Sequence, residues 1–388
     1  MTATTSRVAS AVGLRIQEHR TLYRDERFFA AFPCVVTLPD GGVILSFRRA
    51  PDHRWMLGEH RDEHFDSVDH LHFRSHIACV KLDETLAPIQ PVKILPPHAE
   101  AADQDANMFL TSTGRLIQYG FLWYPVPTAD ANRLMDHGLL GFRRPSEDGE
   151  AYLNWGGYTR FSDDLGASWS DHQMVPVDDK TFDFGYRHRP GGAALRGRMI
   201  EQGDGTLMVA GYQGRLEGRP YTALRVFKSL DMGASWQLNP DVVAMDDIGL
   251  QEPALAPWPA GAISVFNRTS ENDDRLVTAR SDDGGATFGP PQTVEVKGHP
   301  YDPFVLQDGR LLLVYGYRHA PMGVRARLVA PGQAIEDASE VIVRDDSPSR
   351  DTGYPSATQL ADGRIVIAYY ITDERGIRGI ECTVLEID

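Results

Sequence analysis

The stretch SDDLGASW at residues 162–169 decides the fold, because the chain repeats it as SLDMGASW at 229–236 and as SDDGGATF at 281–288. All three copies place Asp two positions and Gly four positions after a Ser, and end on Ser or Thr followed by an aromatic residue. Asp side chains cap backbone N–H groups in tight turns, and Gly adopts positive φ without steric cost. The spacing therefore predicts one β-turn built three times.

These turns are expected to stabilise the fold and to take no part in chemistry. Their aromatic residues should be largely buried between neighbouring sheets, and their Asp side chains should bind only the turn. The residues concerned are the aromatics Trp169, Trp236 and Phe288 and the carboxylates Asp164, Asp231 and Asp283.

A longer pattern occurs six times: a short apolar strand, a turn containing Gly, and a second apolar strand that ends in aromatic or Arg residues. Two β-rich runs around such a turn indicate a hairpin. Six copies at intervals of roughly 45–90 residues are typical of four-stranded propeller blades. The copies are Phe32–Arg49, Asp105–Phe121, Arg196–Tyr212, Glu252–Arg268, Pro300–Arg318 and Tyr354–Tyr370.

The fold class predicted from these repeats is all-β, a six-bladed β-propeller that occupies residues 1–388 as a single domain. The run Leu14–Tyr23 is expected to supply the strand that closes the ring, and residues 1–12 are expected to be disordered. The predicted blades span residues 31–92, 103–178, 194–244, 250–296, 298–345 and 352–388.

Composition restricts the function classes. The net charge of -15 argues against a nucleic-acid-binding surface, and no apolar run approaches the ~20 residues of a membrane span. Three widely spaced cysteines make no disulfide framework and no zinc site. No cofactor is expected. The start lacks the apolar middle of a signal peptide, so a cytoplasmic location is expected, or a periplasmic or secreted one if a leader has been removed. The oligomeric state is not predicted.

Alignment of the repeats predicts the site. The residue nine positions before each turn Gly should lie at one height around the channel, and four of the six such residues are polar or ionisable. The aligned residues are Phe32, Asp105, Arg196, Glu252, Pro300 and Tyr354. Blade 5 adds His299 and Asp302 on either side of its Pro. The register predicts a ring of Asp105, Arg196, Glu252, Asp302 and Tyr354 around one axial cavity. Alternatively, these residues only plug the channel through mutual hydrogen bonds.

The repeated turn resembles the Asp-box of the sialidase superfamily, also known as BNR repeat proteins, and three motifs extend this resemblance to the site. Glu252 in QEPALAPW resembles the catalytic glutamate of that family, and Tyr354 in GYPSATQLADGRIVIAYY resembles its tyrosine nucleophile. Arg268 in VFNRT resembles the second of three arginines that bind the substrate carboxylate. The resemblance implies a propeller of sialidase type and a retaining exo-glycosidase.

The sequence departs from the family pattern at two arginines. Ala31 stands where the first arginine of the family is expected, and Arg48 or Arg49 at the end of the next strand could compensate. Arg325 is the best candidate for the third arginine and Arg318 the next. Arg196 could add another cation to the cavity, which is predicted to be locally basic.

The general acid that the resemblance implies has three candidates. Asp52 and Asp66 lie in the loop at residues 52–76, and Asp105 heads the second blade. The same loop carries six of the 13 histidines, so a metal site at the His60/His64 pair and a solvated rim are further interpretations; no metal is assigned.

Three functions compete at this point. The first is an exo-glycosidase that removes a terminal acidic sugar, sialic acid or a related one, with Tyr354 as nucleophile and Glu252 as its base. The second is another glycoside hydrolase or a polysaccharide lyase on the same scaffold, acting on glycans that contain uronic acids or deoxysugars. Its candidates for proton transfer are His299, Tyr301 and the blade 1 histidines of the loop at residues 52–76. The third is a non-catalytic propeller that binds glycans. The expected partner is a glycan or an acidic sugar.

Overall fold

The computed structural model describes residues 13–60, 70–137, 142–143, 149–177, 192–213 and 221–387. They form six small antiparallel sheets arranged as the blades of a six-bladed β-propeller, so the predicted fold class is confirmed. The helical elements in this part of the chain are α1 (Thr128–Asp136) and two short 3₁₀ segments, His53–His60 and Pro259–Gly261. None of the described helices is long and apolar enough to cross a membrane.

The strands follow the repeats closely, and each blade runs from an inner to an outer strand. The first strand is β1 (Leu14–Tyr23). Blade 1 contains β2 (Phe28–Thr37), β3 (Val43–Pro51), β4 (His76–Leu82) and β5 (Lys93–Ile94). Blade 2 contains β6 (Ala102–Asp103), β7 (Asn107–Leu110), β8 (Leu116–Pro127), β9 (Phe142–Arg143), β10 (Glu150–Ser162) and β11 (Gln173–Met174). Blade 3 contains β12 (Ala194–Leu195), β13 (Ile200–Glu201), β14 (Leu207–Gln213), β15 (Ala223–Ser229) and β16 (Gln237–Val243).

The second half of the ring is more regular, with four strands in each blade. Blade 4 contains β17 (Gln251–Pro257), β18 (Ile263–Arg268), β19 (Arg275–Ser281) and β20 (Gln292–Lys297). Blade 5 contains β21 (Tyr301–Val305), β22 (Leu311–Tyr317), β23 (Gly323–Val329) and β24 (Glu340–Arg344). Blade 6 contains β25 (Gly353–Gln359), β26 (Ile365–Thr372) and β27 (Arg378–Ile387), and β1 completes it.

The ring closes through the two ends of the chain. Strand β1 pairs antiparallel with β27, from Leu14 opposite Ile387 to Tyr23 opposite Ile380. Closure of this kind covers a sheet edge that would otherwise be free to pair with another chain. Residues 1–12, which were expected to be disordered, lie outside the described residues.

Apolar side chains of neighbouring sheets pack between the blades. In the cluster between blades 5 and 6, for example, Leu312 and Val314 pack with Ile365 and Ile367, all fully buried. The hairpin turn that precedes Leu312 follows the expected chemistry, because Gly309 has a φ of +85° and the N–H of Arg310 donates to Asp308 Oδ1 at 3.0 Å. These layers hold the inner strands firmly around the channel.

The three repeated turns, residues 162–169, 229–236 and 281–288, are called the Asp-box turns below. In the second of them Asp231 accepts hydrogen bonds from the backbone N–H and the hydroxyl of Ser235, at 2.8 and 2.6 Å. Trp236 is only 8% exposed, and its Nε1 donates to Thr159 Oγ1 of the neighbouring blade at 2.9 Å. Trp169 and Phe288 are half-buried. Trp169 packs against the apolar cluster between blades 1 and 2, and Phe288 against the one between blades 3 and 4. The expectation that the three aromatics pack between neighbouring sheets is therefore confirmed, with Trp236 in the buried class and the other two partly exposed.

Candidate active site

The inner strand of every blade bulges, breaks or starts at the height that the repeat alignment selects. Phe32, Glu252 and Tyr354 have positive φ values of 55°, 46° and 47°, each directly before a Pro, and β2, β17 and β25 each shift register there. Bulges of this kind redirect side chains and are common beside active sites. Non-glycine residues with positive φ cost on the order of 1–3 kcal/mol each. The fold therefore uses strained backbone to aim these side chains at the channel mouth.

The other three blades interrupt the strand in different ways. Blades 2 and 3 split it into two short strands, with Asp105 lying between β6 and β7 and Arg196 between β12 and β13. In blade 5, β21 starts only after Pro300. The prediction that the inner strands begin near the aligned residues is confirmed in blades 4, 5 and 6, where they begin at Gln251, Tyr301 and Gly353. In blade 1, β2 already begins at Phe28, four residues before the aligned Phe32.

Tyr354 and Glu252 form the centre of the site. The Tyr354 hydroxyl donates to Glu252 Oε1 at 2.8 Å, and both side chains are buried. Arg268 contacts both members of the pair: its Nη1 lies 3.1 Å from Glu252 Oε2 and 3.3 Å from Tyr354 Oη. Its Nη2 donates to Gln251 Oε1 at 2.6 Å. Blades 4 and 6 thus meet across the channel mouth through one phenol, one carboxylate and one guanidinium.

The surroundings of this pair keep Glu252 ionised and Tyr354 protonated. Burial would raise the pKa of Glu252, but Arg268 and Arg196 outweigh burial and lower this pKa to about 2. Burial raises the pKa of Tyr354 above its usual value, the Glu252 carboxylate adds to this, and the arginines only partly oppose it. At neutral pH the pair is therefore a neutral phenol hydrogen-bonded to a carboxylate ion.

Arg196 approaches Tyr354 from blade 3. Its Cζ lies 4.1 Å from the centroid of the Tyr354 ring and 5.6 Å from that of Phe32. Its Nη1 donates to Asp105 Oδ1 at 2.7 Å. Burial raises the pKa of Asp105 to about 6, and the nearby Glu252 carboxylate adds to this, although Arg196 acts in the opposite direction. Asp105 and Arg196 thus form a buried ion pair that titrates near neutrality.

Arg318 approaches the same ring from blade 5. Its Cζ lies 5.2 Å from the Tyr354 centroid, and its Nη2 donates to Tyr370 Oη at 3.3 Å. Nη2 also lies 3.7 Å from Asp351 Oδ1. Arg196, Arg268 and Arg318 are called the arginine group below, because all three surround the Tyr354 side chain.

Each member of the arginine group has an Nε–H that is buried and has no hydrogen-bond acceptor in the described part of the chain. A buried donor without an acceptor is costly, so native proteins usually supply one from protein, water or ligand. Three such donors around one phenol make the channel mouth suited to an anion. Each arginine also faces a carboxylate, Asp105, Glu252 or Asp351, so a locally basic cavity stays a prediction.

A family model described as a BNR repeat-like domain matches residues 123–367, more than half of the chain. The chain belongs to the BNR repeat-like family. The predicted BNR repeats are thereby confirmed.

Solved structures show the same fold around BNR repeats. A crystallised protein of unknown function from Dyadobacter fermentans is 29% identical over 97% of this chain and 100% of its own, with a TM-score of 0.84. A mutant of the NanB sialidase from Streptococcus pneumoniae is 13% identical over 95% of this chain and 71% of its own, with a TM-score of 0.65. The Trypanosoma rangeli sialidase in complex with sialic acid is 12% identical over 97% of this chain and 59% of its own, with a TM-score of 0.60. Curated proteins gave no match.

A buried imidazole completes the blade 5 side of this BNR repeat-like site. His299 Nδ1 lies 3.4 Å from Asp274 Oδ1, and His319 Nε2 lies 3.2 Å from Asp274 Oδ2. Burial lowers the pKa of His299 to about 4; Asp274 opposes the shift, and Arg268 adds to it. His299 is therefore neutral at physiological pH.

Four predicted site residues are engaged elsewhere. Arg325 donates to the backbone oxygens of Pro321 and Val324, and its Cζ lies 4.6 Å from the Tyr317 ring. The structure thus places Arg318, rather than Arg325, beside Tyr354. The Tyr301 hydroxyl donates to the backbone oxygen of Val296 at 2.7 Å, within the core between blades 4 and 5.

Asp302 and Asp52 are also bound away from the pair. Asp302 faces the axial channel below Glu252, where both of its oxygens accept from Arg198 at 2.8 and 2.7 Å. Asp52 accepts from Arg54 Nη2 at 2.6 Å. Arg48 points its guanidinium to within 5.8 Å of the Phe32 ring. Asp66 and His64 lie outside the described residues, as does the side chain of His60.

Sequence reasoning missed Asp274, Asp351 and Tyr370, and it named His70 only as one of the six histidines in the loop at residues 52–76. None of them lies at the aligned position, so the register gave no reason to select them. The interruptions themselves had a signal, because Phe32-Pro, Glu252-Pro and Tyr354-Pro occur at one register, and Pro inside an apparent central strand indicates a bulge. Within the described residues, no group of three or more His, Cys, Asp or Glu side chains could hold a metal ion.

Proposed function

We propose that this protein is a carbohydrate-active enzyme, an exo-glycosidase that removes a terminal acidic sugar by means of Tyr354 and Glu252. The observation that supports this most directly is the buried 2.8 Å hydrogen bond between the two residues inside the arginine group. The sialidase-like fold of the structural neighbours is consistent with action on a glycan. The arginine group is consistent with an anionic sugar.

The protonation states favour a phenol as the nucleophile. A carboxylate nucleophile would be repelled by an acid group on the anomeric carbon, whereas a neutral phenol is not. Glu252 already accepts the phenolic hydrogen bond, and it takes the proton as Tyr354 Oη bonds to the anomeric carbon. The arginine group stabilises the negative charge that develops on the phenolic oxygen.

The same arginines explain selection of an acidic sugar. An anion that enters a partly dry cleft loses hydration, and guanidinium donors with unused N–H groups offset that loss. Because Ala31 leaves blade 1 without an arginine at the position the family uses, the carboxylate is held from blades 3, 4 and 5. The arginines therefore come from a different set of blades than the family uses. This difference favours other keto-acid sugars and uronic acids as substrates, as well as sialic acid itself.

A lyase is the second candidate, and one observation favours it. His299 is a neutral, buried imidazole in the electrostatic environment of Arg268 and Glu252. A lyase requires such a neutral base to remove the proton next to a uronate carboxylate. The two reactions differ in their products, since a lyase leaves an unsaturated sugar that absorbs ultraviolet light and a hydrolase does not.

Hydrolysis of a panel of aryl glycosides tests the proposal. The panel contains sialic acid, other keto-acid sugars, uronic acids and neutral sugars, and the wild-type protein is expected to release the aryl group from an acidic member. Tyr354→Phe should then lose activity by at least about a thousandfold without unfolding. Tyr369→Phe is the matched control, because its buried hydroxyl bonds Thr383 in the core between blades. Full activity in Tyr354→Phe would show that Tyr354 is not the nucleophile.

A further inference from the structure

The rim of the cavity between blades 1 and 6 carries a second acid–base arrangement. The edge of the His70 ring meets Phe32 with centroids 5.4 Å apart, and Phe32 in turn lies 4.8 Å from Tyr354. His70 Nδ1 lies 3.7 Å from Asp351 Oδ2. The His70 side chain is 40% exposed, so solvent and ligands can reach it.

Asp351 is built to hold that imidazole. One of its oxygens accepts from Arg378 Nη1 at 2.6 Å and the other from the Tyr370 hydroxyl at 2.5 Å. Burial alone would raise the pKa of Asp351, but His70 and Arg378 outweigh burial and keep this pKa far below its usual value. The Asp351 carboxylate, fixed by two blade 6 side chains, lies at ion-pair distance from Nδ1, which leaves Nε2 for another partner.

The described aspartates that could move a proton here are already bonded to arginines, and Asp66 lies outside the described residues. The Asp105 side chain is 3% exposed and bonded to Arg196. The Asp52 side chain is 1% exposed and bonded to Arg54. His70 is an accessible imidazole beside the wall formed by Phe32 and Tyr354.

We propose that His70 is the catalytic acid and base that serves the leaving group, with Asp351 as its positioning residue. This role rests on the glycosidase function proposed above. It assigns proton transfer to an imidazole from blade 1 instead of to Asp52, Asp66 or Asp105.

The proposed steps balance. As Tyr354 Oη bonds to the anomeric carbon, the bond from that carbon to the leaving oxygen breaks, and the leaving oxygen keeps the electron pair and takes the Nε2 proton of His70. In the second half, neutral His70 removes a proton from water, the water oxygen bonds to the anomeric carbon, and Tyr354 leaves and recovers its proton from Glu252. The sum is one glycoside and one water converted to a free sugar and an alcohol.

Leaving-group dependence separates this role from a structural one. The probes are the methyl and nitrophenyl glycosides of the acidic sugar that the wild-type enzyme cleaves best. An acid catalyst matters for the methanol leaving group and little for nitrophenolate. In His70→Gln, kcat/KM should therefore fall roughly 100-fold for the methyl glycoside and less than about fivefold for the nitrophenyl glycoside. Added imidazole should restore cleavage of the methyl glycoside by His70→Ala.

His72→Gln is the matched control, and Asp105→Asn tests the competing candidate for the general acid. His72 lies in the same loop and stacks on Phe73, and its replacement should leave both substrates unchanged. Equal loss on both glycosides in His70→Gln, no loss on either, or the selective loss appearing in Asp105→Asn instead would each overturn the role of His70. A wild-type protein inactive on every glycoside would overturn the proposed function and this role with it.

Discussion

The Asp-box turns and the channel mouth both concentrate carboxylates, but they bind them in opposite ways. Asp231 is satisfied by Ser229 and Ser235, two and four residues away. Glu252 is satisfied by Tyr354, which is 102 residues away on another blade. The Asp side chain of each turn is satisfied by residues of the same turn, whereas the mouth still has three buried guanidinium donors without acceptors in the described part of the chain. Complete local bonding indicates stabilisation, and incomplete long-range bonding indicates a place for a ligand.

The carboxylates of the Asp-box turns and those of the channel mouth also differ in the direction of their pKa shifts. The hydroxyl and N–H of Ser168 hold the pKa of Asp164 below its usual value, on the surface of the protein. Burial raises the pKa of Asp105 to about 6 at the channel mouth. Hydrogen bonds from the turn favour the ion, and removal from water disfavours it. Carboxylates with perturbed pKa values in a cleft are typical of functional sites.

The largest effect is expected at the aromatic residue of an Asp-box turn. Trp236→Ala should lower the free energy of unfolding by ~3–5 kcal/mol, because it empties a buried site and removes the bond to Thr159. Chemical denaturation measures this loss, and turnover per folded molecule should not change. A variant as stable as the wild type but inactive would show that the turns are functional after all.

Removal of one guanidinium should have a smaller effect that is specific to charge. Arg268→Ala should weaken binding of an acidic sugar by ~2–5 kcal/mol, since it leaves Glu252 and the sugar carboxylate without a shared cation. Binding of a neutral sugar should barely change. Isothermal titration with a matched pair of sugars tests this, and equal weakening for both would contradict the anionic site.

The buried ion pair of Asp105 should make stability depend on pH. Its folded pKa of about 6 lies above the unfolded value of 3.8, so the native state binds the proton more tightly. The resulting stabilisation is fully present below pH 4, is lost as the pH rises through 6, and should be of the order of 2 kcal/mol. Glu252 acts in the opposite direction, since its pKa of about 2 makes its contribution disappear only as the pH falls below about 4.5.

Unfolding free energies of the wild type and Asp105→Asn between pH 4 and 7 measure this contribution. As the pH rises from 4 to 7, the wild type should lose stability relative to the variant. Parallel curves would show that Asp105 titrates as it does in the unfolded chain.

The smallest effect is expected from an Asp-box carboxylate. Asp231→Ala should lower the free energy of unfolding by about 1–2 kcal/mol, the usual cost of losing a cap that satisfies several donors. Asp231→Asn, which keeps an acceptor, should cost less. Activity per folded molecule should be unchanged in both, and a change in substrate preference would contradict a purely structural turn.

Register and resemblance were enough to predict part of the site. Tyr354 and Glu252 were expected together at one height, and their side chains are in contact. Arg325 was ranked above Arg318 as the third arginine, because both lie in blade 5 and the sequence does not show where either side chain points. The structure separates them because Arg318 follows β22 at the channel mouth, while Arg325 lies within β23 with its guanidinium on backbone oxygens.

The amino-acid sequence by itself determined the repeated turns, the six blades and the height of the site. The physical reason is that turn chemistry and strand alternation act within about ten residues, so the pattern is visible in a single repeat. The tertiary structure decided which polar groups meet. His70, Asp351 and Arg318 come from three different blades, and only closure of the ring through β1 and β27 brings them to one rim. Their charges, burial and unused donors depend on that closure.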